Sequence, residues 1–194
     1  MQEQAGPGPV GLVLESERIK RRVAELGADI TRDYAGRAPL LVAVLKGSVL
    51  FLADLVRAID LSVSVDFIAI SSYGEGGGRS GVVRILKDLS ASIEGEDVIL
   101  VEDIIDTGLT VTYLLATLRA RQPRSLEICT LLDKSVRRII EVPIRYKGFD
   151  IPDEFVIGYG LDHQGRYRNL SSIIGVRDLE TLTADPDSIV TPFF

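Results

Sequence analysis

The sequence predicts an α/β domain in which helices cover both faces of a mostly parallel β-sheet. Continuous apolar runs bounded by turn residues are typical of strands that are buried on both faces. These runs alternate along the chain with stretches of helical periodicity, which favours parallel strands joined by helices. A chain of 194 residues with 46% hydrophobic residues is also long enough to bury one core. We therefore expect one domain over residues 1–194, with room for a small appended lobe.

The helices are predicted from apolar spacing. Residues Ser16–Tyr34 carry apolar side chains at intervals of three and four, and Ser16 is the candidate N-cap. A second helix is predicted over Val49–Ile59. A third follows Thr110 and ends before Pro123. The apolar residues of the first and third helices are Ile19, Val23, Leu26, Ile30, Tyr34, Val111, Leu114, Leu115 and Leu118.

The strands are predicted from apolar runs and alternation. They are Leu40–Leu45, Val63–Ser71, Val82–Leu86, Val98–Val101, Ser125–Leu132 and the short Phe155–Tyr159. Between the second and third of them, Tyr73–Gly81 holds five glycines in nine residues, which is typical of a mobile loop. Residues 1–10 lack periodicity and read as a loose arm.

Charge and cysteine content restrict the function classes. The chain has 22 basic and 28 acidic residues and a formal net charge of −6, which disfavours nucleic acid or an anionic membrane as the main partner. Cys129, the one cysteine, lies in an apolar run and is expected in the core, so no intrachain disulfide forms. Neither a secretory signal nor a long apolar span is found in the sequence, so a cytoplasmic location is expected.

One run of thirteen residues, 98–110, carries most of the chemical information. Its apolar strand ends in Glu102 and Asp103, then Asp106 follows, and Thr107-Gly108-Leu109-Thr110 opens a helix. The turn and the helix start present backbone N–H groups that suit a phosphate. Carboxylates at the strand end suit sugar hydroxyls or Mg²⁺. Since ligands bind beyond the carboxyl ends of parallel strands, the run predicts a site for a phosphorylated sugar.

At this run the chain resembles the type I phosphoribosyltransferases, most of all their hypoxanthine-guanine branch, and the resemblance extends from about Leu40 to Arg168. It implies the fold of that family, with a core over about residues 36–150 and a small hood built from the C-terminal segment with N-terminal residues. It also implies the reaction of 5-phosphoribosyl 1-pyrophosphate (PRPP) with a 6-oxopurine, hypoxanthine or guanine, to give IMP or GMP and pyrophosphate. The implied cofactor is Mg²⁺, and a homodimer or homotetramer is implied as well.

The resemblance assigns roles within the thirteen-residue run. Glu102 and Asp103 contact the ribose hydroxyls of PRPP directly or through Mg²⁺. Asp106 manages the proton at N7 of the purine while N9 attacks the sugar, which requires hydrogen-bond reach. Thr107, Gly108 and Thr110 hold the 5′-phosphate. Leu109 stands where some relatives carry lysine, so a charged contact is missing while the backbone contact remains.

Further phosphate contacts and a metal ligand come from other strand ends. Lys46-Gly47 matches a turn with a peptide that can be cis and that exposes an amide to pyrophosphate. Arg138 matches an arginine near pyrophosphate, although Arg137 adjoins it and the assignment can slip by one residue. Asp162 matches a second Mg²⁺ ligand, and Arg168 matches an arginine that reaches pyrophosphate.

The implied purine site uses Lys134, Phe155 and Val156. The Lys134 ammonium has three donors and no acceptor, so it favours a 6-oxo over a 6-amino purine. Phe155 stacks on the base, and the backbone of Val156 meets its edge. Ser72-Tyr73 matches a pair on a lid that closes over the reacting centre and excludes water.

Two alternatives stay open at this point. The same fold could act on xanthine or on a pyrimidine, with the residues near Phe155–Leu161 deciding the base. A PRPP-sensing regulator that binds nucleic acid would also keep the phosphate motif, but the short acidic chain and the presence of Lys134, Asp162 and Arg168 favour the enzyme. His163 has no cysteine or histidine partner nearby in the sequence and is expected at the surface rather than on zinc.

Overall fold

The computed structural model describes residues 8–72, 83–185 and 190–194. The α-helices are α1 (Ser16–Asp33), α2 (Val49–Ala58), α3 (Leu109–Arg119) and α4 (Leu179–Ala184). The strands are β1 (Val10–Leu14), β2 (Leu40–Leu45), β3 (Ser64–Ser72), β4 (Val83–Lys87), β5 (Asp97–Ile105), β6 (Ser125–Asp133), β7 (Tyr146–Asp150), β8 (Phe155–Ile157) and β9 (Ile173–Val176). Short 3-10 turns cover Ser135–Arg137 and Thr191–Phe193.

The main sheet confirms the predicted fold class. Its six strands lie in the order β4-β3-β2-β5-β6-β7, and only the β3–β4 pair is antiparallel. Alternate residues of β2 belong to different cores. Leu41 and Ala43 pack with α1 and α2, whereas Val42 and Val44 pack with α3. Helices therefore cover both faces of the sheet.

Helix α1 confirms its predicted stripe but not its predicted cap. All five stripe residues are buried. Glu15 occupies the N-cap position without a side-chain hydrogen bond, and Ser16 is already the first helical residue. The Ser16 N–H donates to the Ser172 hydroxyl at 3.2 Å. A hydroxyl from a distant segment thus meets a helix-start N–H group, which the local sequence does not reveal.

A second, antiparallel sheet of three strands forms the hood, in the order β1-β9-β8. The Phe155–Tyr159 strand predicted from the sequence ends at Ile157, because Gly158 and Tyr159 take φ angles of 97° and 47°. It belongs to this sheet rather than to the parallel one. The hood buries a small apolar cluster of its own, made of Ile157, Tyr167, Leu170, Ile174, Val176, Leu182 and Val190.

Within the described ranges, no helix combines the length and the apolar character needed to cross a lipid bilayer.

Candidate active site

Strand β5 carries its acids inside the sheet rather than after it. It runs on to Ile105, and Glu102 pairs in register with Thr130 of β6. Glu102 is only 6% exposed, and its carboxyl has no hydrogen-bond partner among the described residues. It lines a cavity of 270 Å³ together with Asp103, Asp106 and the 107–110 turn. A buried carboxyl without a protein partner is costly unless a ligand satisfies it.

Burial changes the acidity of both carboxyls. It raises the pKa of Glu102 well above the ordinary glutamate value, and the neighbouring Asp103 charge adds to the shift. Burial also raises the pKa of Asp103 to about 6, although the Ile104 N–H, which donates to this carboxyl at 2.8 Å, acts in the opposite direction. The Arg168 charge lowers this pKa and the Asp162 charge raises it, so both side chains lie close to Asp103.

The turn after β2 packs directly against Asp103. A Cβ atom on Gly47 would overlap the Asp103 carboxylate, so a larger residue here would displace that carboxylate. Lys46 is exposed, and the cis peptide bond of this turn joins Leu45 to Lys46. The resemblance placed a possible cis peptide in the Lys46-Gly47 turn. The structure has the cis peptide one bond earlier, between Leu45 and Lys46. The structure thus brings Gly47 and Asp103 together.

The phosphate loop, residues Thr107–Thr110, is fixed from one side. Gly108 has a φ of 85° and serves as the N-cap of α3. A Cβ on Gly108 would overlap the Ile140 carbonyl oxygen. The N–H groups of Ile139 and Ile140 donate to the Thr107 carbonyl at 2.9 and 3.1 Å. The loop therefore rests on the 138–142 segment, while the exposed Leu109 and Thr110 begin the helix.

Asp106 lies between β5 and this loop. Its Oδ2 pairs with Arg137 Nη1 at 3.3 Å. Its Oδ1 is buried and has no hydrogen-bond partner in the described part of the chain. One oxygen is thus held by a cation, and the other remains an acceptor.

Lys134 lies next to Asp106 because β5 and β6 run in parallel. The Lys134 N–H donates to the Ile105 carbonyl at 2.9 Å. Lys134 is only 6% exposed, and its ammonium has no protein acceptor among the described residues. A buried cation beside a candidate proton acceptor can read the polar edge of a base.

Arg138 does not line the 270 Å³ cavity, and its expected contact with pyrophosphate stays a prediction. Its guanidinium forms a buried ion pair with Asp133 and lines a second cavity of 290 Å³. Of the two adjacent arginines, Arg137 is the one that reaches Asp106. The sequence left open which of the two arginines contacts pyrophosphate, and their side chains take different partners at the 3-10 turn Ser135–Arg137.

The hood supplies Asp162 and Arg168. Their side chains pair at 2.6 Å, and Arg168 also donates to the Gly160 carbonyl at 2.6 Å. The second Asp162 oxygen accepts from the Gly165 N–H at 2.7 Å. Both residues lie in the segment between β8 and β9, and their charges act on the Asp103 carboxyl.

The remaining predicted residues lie outside the cavity or outside the described ranges. The Phe155 ring is 38% exposed and meets the His163 ring edge-to-face at 5.9 Å. Val156 is buried in the middle of β8. Ser72 is the last residue of β3, whereas Tyr73 and the glycine-rich loop lie outside the described residues.

The carboxylates do not form a closed metal cage. In the described ranges, no group of three or more histidine, cysteine or acidic residues is arranged to hold an ion. Mg²⁺ commonly uses one or two protein carboxylates and completes its coordination with water and substrate oxygens. The unpartnered, buried Glu102 next to Asp103 fits such an open site.

Comparison with known proteins agrees with this geometry. Residues 10–164 match a family model described as a phosphoribosyl transferase domain. A hypoxanthine-guanine phosphoribosyltransferase of Mycobacterium avium is 51% identical over 174 residues, which cover 86% of each chain. That of Bacillus subtilis is 46% identical over 162 residues, covering 84% of this chain and 90% of the relative. A crystal structure of a hypoxanthine-guanine phosphoribosyltransferase from Bacillus anthracis superposes with a TM-score of 0.82, at 43% identity, covering 89% of this chain and 99% of the other.

Proposed function

The chain belongs to the phosphoribosyltransferase family and acts in purine salvage, and we propose that it transfers the 5-phosphoribosyl group of PRPP to hypoxanthine or guanine. The products are IMP or GMP and pyrophosphate. The observation that carries this proposal is the placement of Asp106, which lies next to the buried Lys134 on one side and the phosphate loop on the other.

Asp106 acts as the general base in this proposal. The bond from purine N9 to the sugar C1′ forms, the bond from C1′ to the pyrophosphate oxygen breaks, and the purine proton moves to Asp106. The support is the buried Oδ1, which has no partner among the described residues and is free to accept that proton.

The phosphate loop binds the 5′-phosphate of PRPP. Its backbone N–H groups lie at the start of α3, where the helix dipole favours an anion. Gly108 supplies the φ of 85° that this turn needs, and its missing Cβ leaves room for the Ile140 carbonyl on which the loop rests. Arg168, Arg138 and the Lys46-Gly47 turn are proposed to contact the pyrophosphate. Arg168 donates to the carbonyl of Gly160, a residue that packs against the Gly47 carbonyl.

Glu102, Asp103 and Asp162 are proposed to hold Mg²⁺ together with PRPP oxygens. The support is the chemistry of the set, since carboxylates at the cavity edge suit a hard cation. When bound, Mg²⁺ neutralises the charge that develops on the departing pyrophosphate. Burial of Glu102 and Asp103 strengthens their preference for a cation over water.

Base choice is assigned to Lys134, Phe155 and Val156. The Lys134 ammonium donates to O6 of the purine, and an adenine amino group would leave it unpaired. The exposed Phe155 face is available for stacking, and the Val156 backbone is proposed to contact the base edge. Ser72 and Tyr73 are proposed as part of a lid that excludes water during transfer.

The proposal extends to the oligomeric state of the enzyme and its location in the cell. We propose a homodimer or homotetramer, supported by the exposed apolar side chains Leu86, Val136 and Ile139, which are 66%, 70% and 69% exposed. A cytoplasmic location agrees with Cys129, which is buried as a free thiol.

The direct test is nucleotide formation from PRPP and Mg²⁺ with hypoxanthine, guanine, xanthine or adenine offered one at a time. We expect turnover of the first two, lost when the metal is chelated. Turnover of xanthine alone would overturn the base assignment. No turnover with PRPP still bound would overturn the reaction and favour a PRPP sensor.

The role of Asp106 is tested by Asp106→Asn. We expect kcat to fall by about 10²- to 10⁴-fold, the usual contribution of a general base, while PRPP binds nearly as before. Asp29→Asn on α1 is the matched control, because Asp29 forms an ion pair with Arg32 of its own helix. Full activity of Asp106→Asn would remove Asp106 from the chemistry.

A further inference from the structure

Arg137 joins two walls of the proposed purine site. Its Nη1 lies 3.3 Å from Oδ2 of Asp106 at the end of β5. Its Nε lies 3.4 Å from Oδ1 of Asp153, two residues before Phe155 in β8. One guanidinium therefore connects the proposed general base with the segment that leads to the proposed stacking residue.

The local backbone fixes where this guanidinium lies. Ser135–Arg137 forms a 3-10 turn, and the Arg137 N–H donates to the Lys134 carbonyl at 2.9 Å. In such a turn, residues three apart lie one above the other, so Lys134 and Arg137 share a side. The Arg138 side chain is held elsewhere by Asp133. The turn thus places base selection and the Asp106 contact on the same short segment.

The ion pair with Arg137 gives the two carboxylate oxygens of Asp106 different roles. Oδ2 is engaged by Arg137, and the buried Oδ1 has no partner in the described part of the chain. A carboxylate with one oxygen held has less freedom to rotate, so the other oxygen stays in one orientation. Proton transfer depends on such an orientation, because the acceptor must lie within hydrogen-bond reach of the purine N–H.

We propose that Arg137 is a positioning residue for Asp106, one that keeps the accepting oxygen directed at the purine. This inference rests on the proposed transfer reaction. A purely structural role is disfavoured because the side chains of Arg137, Asp106 and Asp153 are 50%, 39% and 57% exposed. Ion pairs with this exposure contribute little to folding stability.

The test compares Arg137→Gln, Arg137→Lys and the control Arg32→Gln. Arg32 is an exposed arginine in an ion pair with Asp29 on α1. Its neighbour Asp33 contacts Tyr146, the first residue of β7, so the control lies at the amino end of the sheet, away from the site. We expect Arg137→Gln to lower kcat by about tenfold or more, since small misplacement of a reacting group has such effects. The KM for PRPP should stay within about twofold, because the phosphate loop keeps its own contacts.

Arg137→Lys should recover part of kcat, since it restores a cation beside Asp106 without the second contact to Asp153. Wild-type kcat in Arg137→Gln would overturn the inference, as would a loss that appears only in the KM for PRPP or equally in the control. Thermal unfolding of each variant shows whether the fold is kept, and Asp153→Asn, which leaves the Asp106 contact in place, should reduce kcat less than Arg137→Gln. If the wild-type protein forms no nucleotide at all, the proposed function fails instead, and the two failures remain distinct.

Discussion

At the scale of single residues, Lys134 is the side chain proposed to choose the base. It is 6% exposed, and within the described ranges its ammonium meets no protein acceptor. An ammonium without a protein acceptor favours a substrate that supplies one. A 6-oxo group supplies that acceptor, and a 6-amino group does not.

Replacing Lys134 with alanine tests this account of base choice. We expect kcat/KM for hypoxanthine to fall by about 10- to 100-fold, the equivalent of one hydrogen bond to a charged group. Adenine turnover should change little, so the ratio of kcat/KM for hypoxanthine to kcat/KM for adenine should fall. Lys20→Ala is the control, because Lys20 is exposed and pairs with Glu17 on its own helix at 2.7 Å. An unchanged hypoxanthine-to-adenine ratio would contradict the role.

Residue types were easier to predict than side-chain directions. The strand-acid-loop run identified Glu102, Asp103 and Asp106, because their order reflects the end of a parallel strand. The sequence could not tell which of the two arginines pairs with Asp106 and which with Asp133. The different partners of Arg137 and Arg138 depend on a single 3-10 turn and on the buried Asp133. Side-chain direction in such turns is set by tertiary contacts rather than by spacing.

At the scale of elements, the phosphate loop is a case in which one glycine satisfies two constraints. Gly108 needs a φ of 85°, and it also lies against the Ile140 carbonyl. Gly95 needs a similar φ of 73° but has open space around it. Alanine substitutions at the two positions therefore separate the energetic cost of a left-handed φ, present at both, from the cost of steric overlap, present at Gly108 alone of the two.

We expect Gly95→Ala to lose about 1 kcal/mol of unfolding free energy, the usual cost of a left-handed alanine. Gly108→Ala should lose more than this and should also raise the KM for PRPP, because the loop must move away from the 138–142 segment. Urea unfolding and initial-rate kinetics on both variants provide the measurement. Equal effects of the two substitutions would show that the contact with Ile140 is unimportant.

The elements missed by sequence analysis share a physical cause. Strand β1 pairs with β9, which lies more than 150 residues later in the chain, and neither strand alone shows strong alternation. Strand β7 lies at the edge of the parallel sheet and includes Lys147, Gly148 and Asp150. Short strands that depend on distant partners carry a weak local signal, whereas β2, β5 and β6 in the sheet centre carry continuous apolar runs.

At the scale of the whole molecule, carboxyl groups at the two ends of the sheet have pKa values shifted in opposite directions, and β5 carries one of each kind. At its start, burial alone would raise the pKa of Asp97. The Ser125 hydroxyl at 2.6 Å and the charges of Arg124 and Arg37 outweigh burial and lower that pKa. At its other end, burial of Asp103 outweighs the Ile104 N–H and the Arg168 charge, and its pKa rises to about 6. The amino end of the sheet is built for stability, and the carboxyl end is left ready for a cationic or hydroxyl-rich ligand.

This contrast predicts opposite pH dependences for two matched variants. The pKa of Asp103 is higher in the folded protein, about 6, than its ordinary value of 3.8, so ionisation opposes folding increasingly from pH 4 to 6 and fully above that range. Asp103→Asn should therefore raise the unfolding free energy at pH 7.5 by on the order of 2 kcal/mol, and the gain should vanish near pH 4.

The pKa of Asp97 is lowered in the folded protein. The stabilisation by Asp97 is therefore present above its ordinary pKa and is lost as the pH falls through its folded pKa. Asp97→Asn should accordingly lose about 1–3 kcal/mol at pH 7.5 and less in acid. Urea unfolding of both variants at pH 4, 6 and 7.5 decides the matter, since a pH-independent difference between Asp103→Asn and the wild type would show that Asp103 ionises as freely in the folded chain as in the unfolded one.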